Sequence, residues 1–159
     1  MYAIVKDGAI TATASTVQKL FPNTSFPSIP NTDFLTENNV KDVVNAEQKD
    51  RTYYFVTQGN IELVDGVPTQ KYTNTAKDLA GLKTSMTDKV KINAGQLLSN
   101  TDWMVIIKYE RDVAIPSATV TYRAAVITEC ARLESAIAGA GDVDALATVM
   151  AAQNWPTES

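Results

Sequence analysis

Between positions 102 and 123 the chain collects Asp102, Trp103, Lys108, Tyr109, Glu110, Arg111, Asp112, Tyr122 and Arg123 around Pro116. Acids, bases and aromatics in one stretch suit three kinds of work: acid–base catalysis, stacking on nucleic-acid bases, or the corner of a helical hairpin. Asp102 and Glu110 are eight residues apart, which on a helix is about 12 Å by rise alone, too far for a direct acid–base pair. Arg111 and Arg123 suit ion pairs across a hairpin or with neighbouring acids. Lys108 and Asp112 have the spacing of a surface pair worth about a few tenths of a kcal/mol. Trp103, Tyr109 and Tyr122 have the rings for a stacking platform. No run of basic residues surrounds them, so packing at a helix corner is the better reading.

The other candidate chemistry is thinner. The chain has no histidine, which removes the commonest general base and metal ligand and every Ser-His or Cys-His nucleophile. Ser15 and Thr16 have only Lys or carboxylate as a base, and nothing singles out a Ser-Lys pair. Gly139-Ala140-Gly141 falls between two helical patterns without a third glycine at dinucleotide spacing, and reads as a helix stop. Asp142 and Asp144 look like half of a carboxylate metal site, yet both open a helix, where the dipole favours acids. The single cysteine, Cys130, forms no internal disulfide and reads as a buried thiol. Asn23-Thr24-Ser25 matches a glycosylation acceptor but follows no secretion signal. These residues predict no enzyme, no cofactor, no metal and no small-molecule substrate.

The elements that must position these side chains follow from period and punctuation. Asp7-Gly8 in "YAIVKDGAITATA" and Asp65-Gly66 in "NIELVDGVPTQKYT" supply the positive φ of tight hairpins. Tyr2, Ile4, Ile10 and Ala12 suggest one buried strand face, and "RTYYFVTQ" has the β-branched and aromatic content of a further strand. Pro22, Pro27 and Pro30 mark an extended surface segment over residues 21–32. Thr36 is expected to cap a short helix, "ENNVKDVVNAE", with Val40, Val43 and Val44 inward. Leu79, Leu82, Met86, Val90, Ala94 and Leu97 recur at spacings of three and four, one face of a long helix, with Lys77, Lys83, Lys89 and Lys91 left to solvent. Asn100, Thr101 or Asp102 caps a renewed helix or marks a kink. Pro116 disfavours helix at Ile115, and Ser117 caps a return helix with the stripe Tyr122, Val126, Cys130, Leu133 and Ile137. The result is an α+β chain: a small antiparallel β module of about four strands over residues 1–75, then an antiparallel helical hairpin with a short third helix over 76–159.

Composition agrees with a folded domain. Of 159 residues, 45% are apolar and 20% charged, enough for a core and too ordinary for wholesale disorder. A net charge of −4 lacks the positive field that sequence-independent nucleic-acid binding requires. No stretch approaches the roughly 18 apolar residues of a membrane helix, and the opening residues lack a secretory leader's basic and apolar blocks. A soluble cytoplasmic protein is expected, with no nucleic-acid or membrane partner.

Leu97-Leu98, Thr101-Asp102-Trp103, Pro116, Tyr122-Arg123 and Trp155-Pro156 occur in that order. In this the chain resembles bacteriophage tail-fibre assembly and tail-assembly-chaperone proteins, over about 60 residues of its C-terminal half. The opening "MYAIVKDGAI" is also similar to the start of phage tail-region proteins. The Ala-rich stretch "AIAGAGDVDALATVMAAQ" departs from the shorter, proline-containing tail of many members, which opens the reading of a part of the particle. The resemblance implies a non-enzymatic protein acting in the host cytoplasm on a phage tail or tail-fibre partner. The alternative is an oligomeric virion component of tail, fibre or baseplate. An amphipathic helix pair can present apolar residues to a partner or to a copy of itself. The expected contact residues are Trp103, Tyr109, Tyr122 and Trp155, because aromatics dominate interface energetics.

Overall fold

The computed structural model describes residues 1–26 and 30–158. It is a mixed α+β chain with small, mainly antiparallel sheets, and it divides into two compact units, Met1–Thr75 and Ala76–Ser159.

In the first unit, β1 (Tyr2–Lys6) and β2 (Ala9–Ala14) form a hairpin over Asp7 and Gly8, whose φ angles are 51° and 73°. Two successive positive φ values are what a two-residue turn with right-handed strand twist demands. The second hairpin, β5 (Tyr54–Val64) and β6 (Val67–Ala76), turns the same way at Asp65 and Gly66, with φ of 50° and 76°. "RTYYFVTQ" and "NIELV" are thus parts of one long strand and its approach. The buried face of β1 is not the expected one. Ala3 is fully buried, Tyr2 and Ile4 are half-buried, and Ala12 is exposed. β1 is the central strand, pairing antiparallel with β2 and with β3 (Val40–Asp42), so the small Ala3 lies where the sheet is most crowded.

The expected helix over residues 37–47 is absent. The chain instead forms α1 (Val17–Leu20) and α2 (Thr32–Glu37), the latter capped by the Asn31 side chain, which accepts from the Phe34 amide at 2.8 Å. Thr36 is inside α2 and its hydroxyl returns to the Thr32 carbonyl at 2.9 Å. Asn39, at φ 55°, ends the helical path in a left-handed turn that Asn tolerates better than most residues. Val40 then enters β3, and Val44 enters β4 (Val44–Asn45), which runs parallel to β6. Phe21 and Phe26 of the expected surface segment are half-buried: their rings meet that of Phe34 edge-on at 5.1 and 5.0 Å. Pro27, assigned to the surface segment, lies outside the described residues.

The second unit is helical: α3 (Leu79–Ser99), α4 (Asp102–Arg111), α5 (Ser117–Gly139) and α6 (Val143–Ala151). α3 and α5 run antiparallel, as their cross-contacts show. Leu97 meets Tyr122, Lys91 meets Glu134, and Lys83 donates to the Ala138 carbonyl at 2.8 Å. Their core is Met86, Val90 and Ala94 from α3, with Tyr122, Val126, Leu133 and Ile137 from α5. Leu146 of α6 is completely buried. Asp142 caps α6, accepting from the Ala145 amide at 2.8 Å. Of the two readings of residues 100–102, a renewed helix and not a kink is found: α4 starts at Asp102 with Thr101 at its N-cap, and gives the unit four helices. Pro116, not Ser117, is the N-cap of α5; Ser117 is its first helical residue, and no side chain caps it. Leu133 is 0% exposed, so Leu133→Ala should cost about 2–5 kcal/mol, read from chemical denaturation of the full chain followed by helical circular dichroism.

Candidate functional site

The residues singled out in the sequence meet at the end of the α3–α5 pair. α3 ends at Ser99, and its last carbonyls need donors from outside the helix. Tyr122 and Arg123 supply them. The Tyr122 hydroxyl donates to the Leu97 carbonyl at 3.2 Å, and Arg123 Nη1 donates to the Leu98 carbonyl at 2.9 Å. The same Nη1 reaches Thr101 Oγ1 at 2.7 Å, while Nη2 contacts Asp102 Oδ1 at 2.9 Å. Thr101 is 1% exposed. It stands at the N-cap position of α4, but its hydroxyl does not cap that helix; it donates back to the Leu98 carbonyl at 3.0 Å. One guanidinium thus closes α3, holds the buried threonine and fixes the first residue of α4.

A second tie holds the C-terminal segment. Glu129 takes the buried stripe position next to Cys130, which is only half-buried. Its carboxylate accepts from Arg132 Nε and Nη2, both at 2.7 Å, and from the Asn154 amide at 2.8 Å. Arg132 also donates to the Ala152 carbonyl at 3.0 Å. This draws Trp155 onto the cluster of Ala94, Tyr122 and Val126, beside Leu97, Leu98 and Cys130. The Arg132 hydrogen bonds hold the Glu129 carboxyl below its usual range; desolvation opposes this and the Asn154 amide assists it. Burial and the nearby Glu134 carboxylate push the Cys130 thiol up, away from the thiolate that reactivity requires.

The expected contact residues therefore separate. Tyr122 is 7% exposed and belongs to the chain's own core, and the half-buried Trp155 packs against it. Trp103 and Tyr109 lie on α4, 54% and 93% exposed. α4 has no buried residue, although five of its ten positions, Trp103 to Ile107, are apolar. Val105 and Ile106 are exposed with them, a signal that periodicity alone could not distinguish from a core helix. On the other flank, Trp103, Met104, Ile107, Val113, Ala114 and Pro116 line an open apolar groove of about 210 Å³. Asp112, at φ 52°, ends α4 in a left-handed turn and pairs with Lys108.

Asp102 is committed to Arg123, Glu129 to Arg132, and Asp142 to its helix cap. Among the described residues no group of three or more Cys, Asp and Glu side chains converges as a metal site, and no helix is long and apolar enough to cross a membrane. No family model, curated protein or solved structure matches the chain.

The Glu129 tie has a pH signature. A carboxyl held below its ordinary value of 4.5 in the fold contributes stability that is fully present above that value. The contribution is lost as pH falls through the lower folded value. Glu129→Gln should cost about 1–3 kcal/mol at neutral pH and flatten the acid limb of stability, read from urea midpoints between about pH 3 and 7.

Proposed function

We propose that this is a non-enzymatic bacteriophage tail protein acting in tail or tail-fibre assembly through protein–protein contacts made by α4. The observation that carries the contact role is a helix with no buried side chain that holds Trp103, Val105, Ile106 and Tyr109 in solvent. Exposed apolar patches of this kind mark interaction surfaces in soluble proteins, and rigid aromatic side chains are the usual anchors. The phage assignment rests on the ordered motifs Leu97-Leu98, Thr101-Asp102-Trp103, Pro116, Tyr122-Arg123 and Trp155-Pro156. Leu97, Leu98, Thr101, Asp102, Tyr122, Arg123 and Trp155 are engaged at or beside the corner of the α3–α5 hairpin. In this reading the β module and the helical hairpin are separate working parts, and the hairpin's role is to hold α4 outward.

The protein acts in the host cytoplasm during assembly. The second reading, a permanent virion component, differs in one observable: fixed copy number in the mature particle. Affinity-tagged chain expressed during infection should recover tail or tail-fibre proteins by mass spectrometry, and purified virions should lack it. Trp103→Ala combined with Tyr109→Ala should reduce that recovery by at least about tenfold, the scale of losing interface anchors, with helical circular dichroism unchanged. Recovery of no tail protein by the wild-type chain would remove the proposal.

A further inference from the structure

The solvent face of α4 also specifies a partner. Asp102, Val105, Ile106 and Tyr109 fall at offsets of zero, three, four and seven, which places them on one side of a helix. That spacing is the seam by which one helix meets another, and all four residues are exposed.

We propose that this seam pairs with the same seam of a second copy of the chain, antiparallel, about a two-fold axis between Val105 and Ile106. The argument is self-complementarity, which a two-fold contact requires because one patch must fit itself. Turned end for end, Val105 faces the other copy's Ile106, and Asp102 faces the other copy's Tyr109. Each carboxylate acceptor thereby meets a phenol donor, twice by symmetry. A parallel pairing would instead place carboxylate against carboxylate and leave both phenols without an acceptor. Antiparallel helices also set opposite dipole ends together.

Two further features support a copy of this chain over a foreign partner. α4 carries two acids, Asp102 and Glu110, and two bases, Lys108 and Arg111, so it is neutral within a chain of net charge −4. Copies that repel as wholes do not repel at this face. Asp102 is also oriented in advance: Arg123 holds its Oδ1 at 2.9 Å, yet its side chain remains 55% exposed. A seam of ten residues is about 15 Å long. It buries less than the roughly 1,200 Å² of a stable interface, so the dimer is concentration-dependent, on the order of micromolar. The inference rests on the reading of α4 as a contact face and does not depend on the phage assignment.

Sedimentation velocity of the full chain from about 1 to 500 µM should show a monomer–dimer equilibrium around that order of affinity. Ile106→Glu should abolish it without loss of helical circular dichroism. Tyr109→Phe, which removes two symmetric hydrogen bonds, should weaken it about tenfold. With Cys130→Ser as background, Ile106→Cys should form a disulfide-linked dimer on mild oxidation, and Ile127→Cys, exposed on α5, should not. A chain that is monomeric throughout, or that cross-links as fully through Ile127→Cys, overturns the proposal. Unchanged dimerisation in Tyr109→Phe overturns the antiparallel register. A wild-type chain that dimerises yet recovers no tail protein would remove the tail assignment and leave the dimer standing.

Discussion

The carbonyls of Leu97 and Leu98 end α3 at the corner of the helical unit, and two consecutive residues of α5 donate to them, beside Thr101, whose amide and hydroxyl also reach the Leu98 carbonyl. Tyr122 takes one carbonyl and Arg123 the other, and the same guanidinium continues to Thr101 and Asp102. A buried polar group that loses its partner costs about 1–3 kcal/mol, more when the lost partner is charged. At this corner α3 stops at Ser99, Thr101 turns inward, and Arg123 holds the first residue of α4. The start of α4 and its exposure depend on this junction, while the Glu129–Arg132 tie places Trp155 against the Tyr122 cluster.

The junction also gives physical content to the motif order that suggests a phage tail. The double leucine contributes the carbonyls, the Thr-Asp pair and the Tyr-Arg dipeptide contribute the hydrogen bonds, and the terminal Trp covers the cluster. These residues act on one another, so their order records how a helical corner is closed. The function proposed above is carried by what the corner leaves outside. Only Trp103 among those motif aromatics faces solvent, joined there by Ile106 and Tyr109.

Local signals were legible and competing ones were not. The Asp-Gly hairpins could be read because positive φ at two adjacent positions is a demand few residue pairs meet. The α3 and α5 stripes were legible because their apolar residues repeat over several turns. Val40, Val43 and Val44 mimic a helical stripe over too short a span; Asn39 in a left-handed turn and the β preference of valine decide for strands. Glu129 was missed because a carboxylate at a stripe position looks like an error until Arg132 and the Asn154 amide come into contact with it. The inward placing of Tyr122 and Trp155 was not legible either. Aromatic residues enrich cores and interfaces alike, and only the partner of the hydroxyl, or the neighbours of the ring, separates the two.

Arg123 fixes α4 as an ordered helix with its apolar seam in solvent. Hydrogen–deuterium exchange of the wild-type chain and of Arg123→Ala, resolved to peptides of α3, α4 and α5, tests it directly. The account predicts slow exchange through residues 102–111 in the wild type, and near-complete loss of that protection in Arg123→Ala. The Val90–Ala94 and Val126–Leu133 segments should stay protected, because their packing does not pass through the corner. Equal protection of residues 102–111 in both proteins, or no protection in the wild type, would contradict it.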